Sequence, residues 1–122
     1  MKYISIALVA LVLGVMVACE GGGVQYAGAQ DVVDSFDEFD LQNCEGMFAQ
    51  MVGANSGLKC EVEQRTVEVY TYDGNAETLC DNDDICKELR YLGATQIYLD
   101  NLMLVVYDDV DFGNALIADL QK

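Results

Sequence analysis

The chain has no histidine and no tryptophan, and its 6 lysines and arginines face 21 acidic residues. Without histidine there is no Ser-His or Cys-His nucleophile pair. Zinc-type sites also fare badly, because close C-x-x-C units are missing as well. Without tryptophan, a small carboxylate-based hydrolase, the residual enzymatic alternative, would lack a stacking platform for a sugar. Two of the 21 acids could still come close enough to act as a pair. No glycine-rich phosphate loop follows a strand, and no internal repeat is visible. The net charge of −15 repels nucleic acid and anionic headgroups and favours cationic partners.

What is present begins with the stretch from Met1 to Cys19. Lys2 and the amino terminus give a positive start, and Ile4 to Val17 is apolar apart from Ser5, with Gly14 within it. That run has the length of a signal-peptide core and is too short to cross a bilayer as a helix. It ends in Met16-Val17-Ala18-Cys19, which resembles the lipobox of bacterial lipoproteins; Met16 departs from the more usual leucine. The resemblance covers the leader only. It implies a diacylglyceryl group on the Cys19 sulfur, cleavage just before it, and a lipid-anchored protein of the bacterial cell envelope. Ala27-Gly28-Ala29 offers an alternative, an ordinary secretory cut before Gln30.

On this reading residues 1–18 are the signal peptide, 19–30 a glycine-rich tether and 31–122 one acidic domain. With Cys19 lipidated, Cys44, Cys60, Cys80 and Cys86 remain, an even set that reads as two disulfides in an exported domain. Four cysteines allow three pairings; the favoured one is Cys44–Cys60 with Cys80–Cys86. The second pair closes the loop CDNDDIC, residues 80–86, and requires it to be non-helical, since residues six apart on a straight helix lie too far from each other.

The pattern predicts a helix over 31–52, with Cys44, Met47, Phe48, Met51 and Val52 as its inner stripe and Gly53 as its end. An extended segment runs from Leu58 to Tyr72, with Val67, Val69 and Thr71 on one face and Glu68, Tyr70 and Tyr72 on the other. A helix broken at 81–84 follows, with Ile85, Leu89 and Leu92 facing inward and Gly93 ending it. Two strands joined at Asp100-Asn101 come next, then a short C-terminal helix with Asp111 as a plausible N-cap. The fold class is α+β: a small single domain with helices on one face of a mainly antiparallel sheet of three to four strands, braced by two disulfides.

Two sets of residues stand out as sites. Asp73, Asn75, Glu77, Asp81 and Asp84 occupy the ligand positions of a calcium loop, but Thr78 stands where the sharp turn needs glycine and Asp84 is shorter than the usual glutamate. Helix capping and solvation account for the same residues. Tyr70, Tyr72 and Tyr98 could present aromatic contacts to a partner, or simply cover the sheet. The function expected is a membrane-anchored, non-enzymatic protein-interaction module with a basic protein partner and no cofactor; the alternative is a calcium-binding protein.

Overall fold

Five strands form one antiparallel sheet in the order β1-β2-β3-β5-β4. The computed structural model describes residues 25–107 and 109–122, so the leader, Cys19 and the acidic Asp108 lie outside the described residues. Helix α1 spans Ala29–Ser35, and β1 spans Gln42–Gly46. A single 3-10 turn, Ala49–Val52, stops at Gly53, whose φ of 79° suits a residue without a Cβ. Strands β2 (Ser56–Val62) and β3 (Arg65–Thr71) make a hairpin through Glu63-Gln64, both at positive φ. Helices α2 (Ala76–Asp81) and α3 (Asp84–Glu88) lead into a 3-10 turn at Leu89–Leu92, ended by Gly93. Strands β4 (Ala94–Leu99) and β5 (Leu102–Tyr107) form the second hairpin, and α4 (Val110–Leu120) closes the chain.

The expected α+β class and both favoured disulfides, Cys44–Cys60 and Cys80–Cys86, are present. Asn82 and Asp83 interrupt the helix between Cys80 and Cys86, and Asp83 caps α3 by accepting from the Cys86 N–H. Three expectations need correction. The sheet has five strands rather than three or four. The helix over 31–52 reduces to α1; residues 42–46 instead pair with β2, held there by the Cys44–Cys60 bond. The helices cover both faces of the sheet, because β3 and β5 are apolar on both.

Alternation along the strands sorts the interior into two cores. Val67, Val69, Leu102, Leu104 and Val106 point to the first, under α1 and α4. Tyr70, Tyr72, Met103 and Val105 point to the second, under α2, α3 and the 3-10 turn at 49–52. Gly113 lets α4 lie close to the sheet: a Cβ there would sit 2.2 Å from the Ile97 Cδ1.

Both ends of the described residues are fastened to the domain. Asn101 is buried; its side chain accepts from the Tyr26 N–H at 2.9 Å and donates to the Tyr26 carbonyl at 2.9 Å. Packed chain therefore begins by Tyr26, inside the stretch read as tether. Near the other terminus Asp119 Oδ2 accepts from the backbone N–H groups of Asp37, Glu38 and Phe39. Asp109, rather than Asp111, caps α4 by accepting from the Phe112 N–H.

Candidate functional site: an apolar groove over a buried carboxylate

The second core is open at one side. A groove of about 440 Å³ lies between the 3-10 turn at 49–52 and helix α3. Met47, Phe48, Met51 and Val52 form one wall, Ile85 and Leu89 the other, and the β3–β5 surface is its floor. Phe48 is 83% exposed, and Met51 and Ile85 are also well exposed, although apolar side chains of this size normally turn inward. Apolar surface held open around a concavity is the usual sign of a binding surface.

One charged group lies in that floor. Glu68 on β3 is only 8% exposed and lines the groove. The Tyr70 hydroxyl donates to its Oε1 at 2.7 Å, and the Tyr107 hydroxyl donates to its Oε2 at 2.8 Å. Lys59 faces Glu68 across the β2–β3 pairing, but among the described residues no lysine or arginine makes an ion pair with Glu68. Burial, then the bond to Glu68, pushes the Tyr107 phenol up to about 12, and the same two causes raise Tyr70 further. Both phenols thus stay protonated as donors at neutral pH. A carboxylate can accept about four hydrogen bonds, so Glu68 keeps acceptor capacity after these two.

Gly57 positions the floor. A Cβ at that residue would fall 2.8 Å from the Tyr70 ring, so glycine is what lets the ring lie flat against β2. Both walls are held from below. Tyr72 donates to the Val52 carbonyl at 2.8 Å, and Gln96 Nε2 donates to the Cys86 carbonyl at 2.8 Å. The Cys80–Cys86 bond fixes α2 against α3.

Sequence-predicted site residues fare differently. Tyr70 and Tyr72, expected to face a partner, are buried at 3% and 1% exposure, because α3 and the 3-10 turn cover the face they share. Tyr70 reaches the site as floor; Tyr72 supports it. Tyr98 is half-buried and receives a hydrogen bond from Arg90 at 2.8 Å, with its own phenol raised chiefly by burial.

The calcium-loop residues have other partners. Asp73 accepts from the Asn55 amide, Asn75 caps α2 at the Thr78 N–H, Asp81 pairs with Arg90 and Asp84 with Lys87. Among the described residues no three acidic, cysteine or histidine side chains are grouped to hold a metal ion. Nor is any described helix long and apolar enough to cross a membrane.

Phe48, Met51 and Ile85 have the helical spacing of inward-facing stripes, so the sequence pattern alone does not reveal the groove. Glu68 carried a usable signal: an acid between Val67 and Val69 in a strand apolar on both sides.

No protein-family model, no curated protein and no solved structure matches the chain.

Proposed function

We propose that this protein is a lipid-anchored component of the bacterial cell envelope and a non-enzymatic interaction module, whose groove between residues 47–52 and α3 docks a basic protein partner. The observation that carries the reading is the groove itself: exposed Phe48, Met51 and Ile85 around a concavity floored by an acid that makes no ion pair among the described residues. The charge of −15 favours basic partners through long-range steering. The layout suits a tethered display. Tyr26 and α1 pack on the first core, so the chain from Cys19 meets the domain on the sheet face opposite the groove.

Attachment is tested on the natural product. Mature protein should partition into the detergent phase and carry at least two acyl chains by intact mass, since one chain alone anchors only marginally. Cys19→Ala should abolish both. A mature chain beginning at Gln30 would refute lipid attachment. Docking is tested by substituting a photo-reactive amino acid at Phe48 in the envelope-embedded protein; adducts to a basic protein support it, and adducts to lipid alone overturn it.

A further inference from the structure

We infer that the groove recognises one basic side chain of the partner, seated with its charge on Glu68 and flanked by apolar residues that lie against Phe48, Met51 and Ile85. The inference rests on the docking reading above and names what that site selects.

A charge buried in apolar surroundings is costly unless paired, and such groups ordinarily sit opposite a counter-charge. Glu68 has two tyrosine donors and, among the described residues, no ion pair; the ammonium of Lys59, opposite it on β2, is exposed to solvent and does not reach it. Glu68 lines an open groove whose lining does not include Lys59, so a cation in direct contact can arrive from outside. The tyrosines leave acceptor sites on the carboxylate, and they hold it in one orientation because each oxygen takes a hydroxyl from a different strand, β3 or β5. Neutral donors satisfy part of the carboxylate's hydrogen-bonding capacity in the free protein without supplying a counter-charge.

The walls define the rest of the ligand. Lysine and arginine carry an apolar stem below the charge, and such stems lie along apolar surface while the head seeks a polar partner. A groove of about 440 Å³ has room for that stem and for parts of neighbouring side chains. An apolar acyl chain would leave Glu68 desolvated with nothing gained, and an acidic ligand would be repelled. Discrimination should therefore come from the carboxylate and affinity from the walls.

The test uses the intact lipidated protein in nanodiscs of zwitterionic lipid, with empty nanodiscs as the blank. Two probes are titrated by calorimetry: acetyl-Leu-Leu-Lys-Leu-Phe-amide and the same peptide with norleucine for lysine. Binding of the lysine peptide should be roughly tenfold or more tighter, the range expected for a charge-assisted hydrogen bond. Glu68→Gln should erase the difference by weakening the lysine peptide alone, and Ile85→Ser should weaken both. Should Glu68→Gln fail to fold, the wild-type comparison of the two peptides still decides. Norleucine binding as tightly as lysine, or no binding of either peptide, overturns the inference. Equal binding that Ile85→Ser weakens leaves the docking reading intact, whereas indifference of both peptides to Ile85→Ser overturns the groove and the docking reading with it.

Discussion

The Tyr107 hydroxyl donates to Glu68 Oε2 at 2.8 Å, joining β5 to the one carboxylate set in the groove floor. These two residues are 39 apart in sequence, and the β3–β5 pairing brings them together by opposing Glu68 to Val105, two residues before Tyr107. The contact links sheet register to the chemistry of the site.

A pH dependence follows from it. A phenol whose folded-state value is raised holds its proton more tightly when folded, so its contribution is complete below its ordinary value near 10 and is lost as pH rises. For Tyr107 that loss runs through about 12, and Tyr70 is raised in the same direction. Stability should thus hold up to about pH 10 and fall above it. Phenolate absorbance during an alkaline titration, followed alongside circular dichroism, checks this; Tyr70 should ionise only with unfolding. Ionisation of all six tyrosines from Tyr26 onward near 10 with the fold intact would contradict it.

Gly57→Ala should destabilise by about 1–3 kcal/mol, the ordinary cost of overpacking, because its Cβ would meet the Tyr70 ring at 2.8 Å. The displaced ring should also weaken ligand binding in the groove. Gly46→Ala meets nothing within 4 Å and should stay within about 0.5 kcal/mol of wild type. Chemical denaturation of the two variants checks the contrast.

The two disulfides should separate stability from binding. The Cys44–Cys60 bond closes the longer loop and holds edge strand β1 to β2; removing it should cost about 3 kcal/mol on chain-entropy grounds. The Cys80–Cys86 loop is shorter and should cost about 2 kcal/mol. Its loss releases α3, which carries Ile85, so that double variant should lose more groove affinity than the first. Denaturant midpoints and peptide titrations on both double-serine variants decide it.

Asn101→Asp should cost about 2–3 kcal/mol. The asparagine amide donates to the carbonyls of Tyr26 and Tyr72 at 2.9 and 3.2 Å, and aspartate would set a negative oxygen against both. Amide exchange should then rise at Tyr26 and through α1 before the rest of the domain.

Much of the fold was legible because local signals agreed with the tertiary answer. The alternation at 66–72, the apolar run at 102–107 and the turn at Asp100-Asn101 all pointed to strands that formed. The Cys80–Cys86 spacing foretold the break between α2 and α3. Failures came where apolar residues at helical spacing serve a surface. Met47, Phe48 and Met51 read as a helix stripe, yet Asn43 takes a positive φ of 53°, residues 42–46 pair as a strand, and Phe48 and Met51 face outward. Ile85 and Leu92 were likewise assigned to the interior, while the buried position on α3 belongs to Cys86. Periodicity reports that a face is apolar, not whether the protein itself covers it. The groove walls are built from such residues, Met47, Phe48, Met51 and Ile85 among them.

Photo-crosslinking from inside the groove tests the central claim most directly. A photo-reactive residue is placed at Phe48 on the groove wall or, as the control, at Gln30 on the exposed side of α1, each in the full chain within its own envelope. The account predicts that position 48 captures a protein segment bearing a lysine or arginine among apolar residues, and that the yield falls as salt rises and falls again with Ile85→Ser. Equal capture from positions 48 and 30, or a captured segment without a basic residue, would contradict it.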